Sequence, residues 1–273
     1  MNALAPPPHP NAFHPFRELN LTLDTVGRGW VDERWSRSEF SYPYDRLYQF
    51  LSGRATVLLR GGGRLSMRPG NLYWLPAFVL AEIRCSTKSE HRYLHFRRPG
   101  GDERLWFGAT APALETRIED GPLVAKLMDR LGRSWESPRA DDVIACEAAL
   151  RYLLSPFFRG SFDRLSDLER FRPVLELLER SISRAPSVLD LAATMGLDVD
   201  YFSARFKKAL GLAPKAWILS RRLQKAASLL WDTPMKIREV AAACGFDDEA
   251  YFARVFHQRL GLSPSAYRKR RRE

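Results

Sequence analysis

A fifty-residue repeat within a basic stretch is the feature of this sequence whose residue types and spacing say most about chemistry. Tyr201 to Trp217 reads YFSARFKKALGLAPKAW, and Tyr251 to Tyr267 reads YFARVFHQRLGLSPSAY, an offset of 50 residues. Eight of the seventeen positions are identical, and Trp217 is answered by Tyr267. From Ala185 to the end, 16 Lys and Arg stand against 9 Asp and Glu, so an excess of 7 of the chain's formal net charge of +11 falls in the last third. In a basic protein, two equivalent surfaces suit a repeating polyanion, and double-stranded DNA is the first candidate. The competing readings are a helical repeat scaffold, or a soluble protein that is merely rich in arginine.

Other chemistries find little support. His91 and His95 are the only histidines of the region rich in strand signals, and no HxH spacing is present. Cys85, Cys146 and Cys244 lie far apart and in no CxxC pair, so they outline neither a disulfide framework nor a zinc site. No nucleophile–base pair stands out, so the expectation is no enzyme, no metal and no cofactor. The N-terminus, MNALAPPPHPNAFHPF, lacks a basic patch followed by an apolar core, so it does not read as a signal peptide. No run is long and apolar enough to span a membrane, and the expected compartment is the cytoplasm.

The elements that must position the repeat are helices. Leu168 to Ile182 has helical periodicity. Ser187, with Asp190 three residues on, can cap a short helix, and Asp198 can cap the next, which Gly211 ends. Pro214 opens a long helix through Trp231, and three more follow: Lys236 to Cys244, Asp247 to Leu260, and one from Ser263-Pro264, seven in all. Leu191-Ala192-Ala193 leads to Met195-Gly196-Leu197, and Val240-Ala241-Ala242 leads to Cys244-Gly245-Phe246. Small alanines let two helices cross closely, and glycine takes the positive φ of the corner. Phe202/Phe206 and Phe252/Phe256, each spaced i, i+4, hold the second helix of each unit on a core. The opposite face of that helix is left for a major groove.

These motifs bring out a resemblance. The stretches RRLQKAASLL (Arg221 to Leu230), IREVAAACGF (Ile237 to Phe246), YFARVF and GLSPSAYRK (Gly261 to Lys269) resemble the DNA-binding domain of the AraC/XylS family of bacterial transcription regulators, over roughly the last hundred residues. The resemblance implies two helix-turn-helix units that place recognition helices in successive major-groove segments. It implies base-reading positions at Asp200, Ser203 and Ala204 in the first unit and at Ala250, Ala253 and Arg254 in the second. Arg254 suits a bidentate guanine contact. Ala204 stands where the family often has arginine, and Asp200 would repel phosphate while able to accept from a cytosine amine. Lys207, Lys208 and His257 come a turn later, where phosphates are expected. The run Lys269 to Arg272 can add salt-dependent affinity.

The segment from about Leu21 to Arg98 reads as strands broken by turns such as Gly61-Gly62-Gly63 and Pro69-Gly70-Asn71, in an antiparallel sandwich or small barrel. The order GRATVLLRGGG, LSMRPGNLYWLPA, LHF resembles the cupin-like effector domain joined to many AraC-type regulators, which implies a barrel mouth holding one small ligand, such as a sugar. Arg46, Trp74 and His95 are the candidate effector residues, and Trp30, Trp35 and Tyr73 could also stack on a sugar face. Leu123, Leu127 and Leu131 share one helical face, and Val143, Ile144, Ala148, Leu150 and Leu154 share another, so 121–160 packs on its own domain or joins two subunits. The expected fold class is therefore α+β: an arm (1–20), a cupin-like β-barrel (21–120), a helical region (121–160) and an all-α domain (166–273). The expected function is an AraC-type transcription regulator, an activator by family habit. It would be a homodimer controlled by a small effector, with RNA polymerase as a further partner and no membrane. The alternatives are a cupin-type enzyme with a helical appendage and a DNA-binding protein that needs no effector.

Overall fold

A computed structural model of the chain describes residues 21–38, 42–60, 62–97, 113–159 and 165–269, with only the backbone of 165–169. The expected arm (1–20) and residues 270–272 of the basic tail lie outside the described residues.

The N-terminal half forms two antiparallel sheets. Five strands order as β1-β8-β3-β6-β9: β1 (Thr22–Val31), β3 (Asp45–Ser52), β6 (Asn71–Leu75), β8 (Ser89–Arg97) and β9 (Glu115–Arg117). Four order as β2-β7-β4-β5: β2 (Arg37–Ser38), β4 (Ala55–Leu59), β5 (Gly63–Met67) and β7 (Leu80–Cys85). Turn glycines Gly62 (φ 94°) and Gly70 (φ 96°) take the left-handed conformation that the Gly and Pro-Gly signals imply. The facing sides of the two sheets share one core of Tyr48, Phe50, Val57, Met67, Tyr73 and Ile83. The expected closed barrel is thus a sandwich of two sheets among the described residues.

Strand alternation gives the five-stranded sheet a second buried face. Leu47, Leu72, Trp74, Leu94 and Phe96 point away from the sandwich and meet α1 (Gly121–Ser134) and α2 (Ala140–Leu154). Asp120 caps α1 by accepting the Leu123 N–H at 2.9 Å. α1 buries Val124, Met128 and Leu131. α2 buries Cys146, Ala149, Leu150, Leu153 and Leu154 and leaves Val143 and Ile144 exposed. The expected α2 face was therefore rotated: Leu150 and Leu154 turn inward, while Val143 and Ile144 do not.

The C-terminal half has seven α-helices among the described residues: α3 (Leu165–Ser181), α4 (Val188–Thr194), α5 (Val199–Leu210), α6 (Pro214–Asp232), α7 (Ile237–Ala243), α8 (Glu249–Leu260) and α9 (Pro264–Lys269). They enclose two cores. One gathers α3, α4 and α5 with Trp217 and Ile218 from the start of α6. The other gathers α7, α8 and α9 with Leu223, Ala226, Ala227 and Leu230 from the rest of α6. One helix therefore carries apolar residues for both cores in sequence.

Candidate nucleic-acid interface

The two corners are built alike. In the first, Leu197 N–H donates to the Ala192 carbonyl at 3.0 Å, and Gly196 takes φ 63°. In the second, Phe246 N–H donates to the Ala241 carbonyl at 3.0 Å, and Gly245 takes φ 79°. Ser187 and Asp190 form a capping box on α4, and the Lys236 N–H donates to the Glu239 carboxylate at 2.7 Å to start α7. Asp198 accepts the N–H groups of Asp200 and Tyr201 at 2.9 and 3.2 Å, and Asp248 accepts that of Tyr251 at 2.5 Å. Those backbone donors hold the Asp198 carboxyl below the usual carboxylate range. Gly211 (φ 77°) and Gly261 (φ 81°) end α5 and α8 in the left-handed conformation.

Phenylalanines then fix which face looks outward. Phe202 and Phe206 lie 5.5 Å apart between ring centroids, as do Phe252 and Phe256. Trp217 stands edge-on to Phe206 at 6.0 Å, and Tyr267 stands edge-on to Phe256 at 5.4 Å, so the two unlike aromatics of the repeat do one job. With these inside, Asp200, Ala204, Lys207 and Lys208 are exposed on α5 and Ser203 is half-buried beside them. On α8, Ala250, Arg254 and His257 are exposed and Ala253 is half-buried. Each set follows i, i+3/i+4, i+7 and forms one stripe along its helix.

Two residues that the sequence reading did not single out flank these stripes. Tyr201 and Tyr251 are 52% and 44% exposed. Arg254 lies over the Tyr251 ring at 5.5 Å. Arg205, half-buried beside its stripe, lies 5.7 Å from the Tyr201 ring and donates to the Tyr201 hydroxyl at 3.1 Å. The signal was present as Tyr–Arg spacings of i, i+4 and i, i+3.

Comparison with known proteins agrees with this construction. A family described as a helix-turn-helix domain matches residues 191–270. The HTH-type transcriptional activator RhaR of Pectobacterium atrosepticum (strain SCRI 1043) is 38% identical over 125 residues, which cover 43% of this chain and 42% of that protein. The transcriptional activator NphR of Rhodococcus sp is 33% identical over 229 residues, which cover 80% of this chain and 65% of that protein. The last third of the chain is an AraC/XylS-type helix-turn-helix domain. The chain spans between two-fifths and two-thirds of the length of these two relatives. ToxT from Vibrio cholerae shares the fold across both halves, with a TM-score of 0.54, 13% identity, and coverage of 89% of this chain and 97% of that one.

In the N-terminal domain, register decides which candidate effector residues meet. Arg46 is paired with His95 across β3 and β8, and both side chains lie on the sandwich side of the sheet. Tyr44 stacks on His95 at 4.8 Å, and the Arg46 guanidinium lies over Tyr42 and Tyr44 at 4.8 and 4.6 Å. Trp35, Tyr48 and Phe50 ring His91 deeper in the same layer. Burial pushes the imidazole of His91 down to about 4 and that of His95 to about 3, the latter aided by the Arg46 charge. Trp74 does not join them. It pairs with Leu47, one position out of step with Arg46, so it faces the helices and packs on Phe96 and Phe157. Trp30 is exposed, with the Lys88 ammonium over its ring at 5.0 Å, and Tyr73 is buried in the sandwich core. A groove of about 310 Å³ lies elsewhere, between β1, β8 and α1, lined by Val26, Arg28, Arg92, Met128, Asp129 and Arg133.

The Arg46–His95 cluster opens onto the AraC/XylS-type domain. Trp231, near the end of α6, meets Tyr42 at 5.6 Å and Tyr44 at 6.0 Å. Arg97 bridges Asp24 on β1 and Asp232 on α6, at 2.8 and 2.6 Å. Arg60 donates to the Leu260 carbonyl at 3.1 Å, at the carboxyl end of α8. Phe78, held at φ 64°, packs on the second helical core. The Tyr267 hydroxyl is buried near Tyr44 and Arg46, and burial holds its pKa well above the usual phenol value. Among the described residues, no group of three or more His, Cys, Asp or Glu is placed to hold a metal, and no helix is long and apolar enough to cross a membrane.

Proposed function

We propose that the protein is an AraC-type transcription regulator that binds specific DNA sequences and is controlled by a small effector. The observation that carries the reading is the pair of matched corners, each presenting one exposed stripe from α5 or α8 above a closed aromatic core. Arg254 reads a base, and Lys207, Lys208 and His257 meet phosphates that set register. The first unit, with Asp200, Ser203 and Ala204 on its stripe, contributes less base reading. Activation is the expected sign, since RhaR and NphR are named as activators. That makes RNA polymerase a further partner and the cytoplasm the place of action.

The effector half is read as cupin-like, with Arg46 and His95 as the polar groups that meet a ligand. A sugar is the first class to try. An unsaturated fatty acid is the second, because ToxT has been solved with one bound. The exposed Val143, Ile144 and Tyr152 on α2 are read as the homodimer contact, and sedimentation of an Ile144→Glu variant tests that.

Selection from a random DNA pool with the full chain, followed by titration at several salt concentrations, tests the main reading. The expected result is one enriched motif bound more tightly than random duplex by roughly 10³-fold or more. Equal affinity for every duplex overturns it. Thermal shift with sugars and unsaturated fatty acids tests the effector, since a true ligand raises the melting temperature.

A further inference from the structure

The two helix-turn-helix cores are joined by α6, which gives one of its halves to each. A single helix is one line of attachment, and a unit held by one line can swing about it. A second attachment lies beside that line. Arg222, half-buried on α6, spreads its guanidinium between the two units. Its Nε donates to the Ile182 carbonyl at 2.8 Å and its Nη2 to the Ser183 carbonyl at 3.2 Å, both in the short turn that precedes the first unit. Its Nη1 donates to the Gly245 carbonyl at 3.0 Å, in the corner of the second unit. A planar fork with five donors can serve three carbonyls at once, whereas an ammonium is a single point.

Gly245 closes the same junction from the other side. A Cβ at this position would lie 2.0 Å from the Ser183 carbonyl oxygen. At its counterpart, Gly196, an added Cβ would meet nothing within 4 Å. Both glycines supply the positive φ of a corner. Gly245 alone also lets the second corner press directly on the turn before the first unit.

We infer that Arg222 and Gly245 fix the distance and phase between α5 and α8, and so set the spacing of the two half-operators that this chain accepts. The inference rests on the DNA-binding reading above. One added base pair between half-operators moves the second by about 3.4 Å and turns it by about 35°. A protein braced at Arg222 cannot follow that change, and one that swings on α6 can.

The test uses the full chain and the operator selected from random DNA, plus operators with one base pair inserted or removed between the half-sites. Wild type should lose roughly 100-fold in affinity on either altered spacing, because most contacts of one unit are misplaced. Arg222→Ala should bind the parent operator more weakly and narrow that spacing penalty to roughly tenfold or less. Arg222→Lys, which keeps charge and stem, should fall between. If Arg222→Ala loses its helical circular dichroism, Arg222→Lys decides alone. A parallel loss on all three spacings would make Arg222 a structural residue only and overturn the inference, as would a wild type indifferent to spacing. Failure to enrich any operator would instead sink the DNA-binding reading itself.

Discussion

The first and second helix-turn-helix units have the same corner, the same phenylalanine pair and the same glycine stop, yet they differ in two ways. The outward stripe of the first carries Asp200, Ser203 and Ala204, while that of the second carries Arg254. The contacts with the N-terminal domain described above fall on the second core or the elements that build it: Trp231, Asp232, Leu260 and Tyr267. A duplicated scaffold keeps its interior because the interior is packing. Its two exteriors are free to diverge because each meets a different neighbour. On the proposed reading, in which Arg254 reads a base and the N-terminal domain binds an effector, a signal from that domain would act on the unit that carries more of the specificity.

The largest effects test whether the two interiors are equal. Phe206→Ala and Phe256→Ala each remove a fully buried ring and should each cost about 3–5 kcal/mol in urea unfolding. Equal losses support equal scaffolds. A smaller loss at Phe256 would show that contacts from the N-terminal domain brace the second core.

Acid should separate the N-terminal domain from the helical one. His91 and His95 are held neutral, with folded pKa values of about 4 and about 3. The unfolded chain takes up these protons first, so stability present above about pH 6.5 is lost as pH falls through about 4 for His91 and about 3 for His95. Each ring accounts for up to about 3 kcal/mol by pH 4, so His91→Phe should flatten the acid limb of the near-ultraviolet melting profile. An unchanged acid limb in that variant would remove His91 as the cause.

Base reading comes next. Arg254→Ala should lose roughly 1–3 kcal/mol on the selected operator and little on random duplex. Equal losses on both would reassign Arg254 to a phosphate. Ala204→Arg is the reciprocal change, and it should sharpen sequence preference in the half-operator of the first unit.

How much of this was legible in the sequence follows from the range of the interactions. The caps at Ser187 and Asp198, the stops at Gly211 and Gly261, and the Phe pairs are local patterns, and each stands where spacing put it. Trp74 was harder, because alternation fixes which strand neighbours share a face but not which face is the sandwich side. It lies 0% exposed against helices 50 or more residues away in sequence. The α2 face was rotated because Val143 and Ile144 are apolar yet exposed, and only packing tells the two kinds of apolar residue apart. The Arg60–Leu260 contact joins residues 200 apart, and no periodicity announces such a pair.

The smallest expected effect isolates the domain seam. Arg97 binds Asp24 and Asp232, so replacing Arg97 would disturb β1 as well as α6. Asp232→Asn leaves the Arg97–Asp24 pair in place and removes the charge on the helical side alone. Both side chains at this contact are more than a third exposed, so water and salt screen it, and the loss in global stability should stay under about 1 kcal/mol. The consequence should instead be local. Loosening the end of α6 frees Trp231 from Tyr42 and Tyr44 and weakens the hold of Arg60 on the last turn of α8. Amide hydrogen exchange in residues 257–261 should quicken while the same turn of α5, residues 207–211, keeps its protection. Equal quickening in both helices would mean that the seam braces the whole helical domain, and the contrast between the two units would then rest on their outward side chains alone.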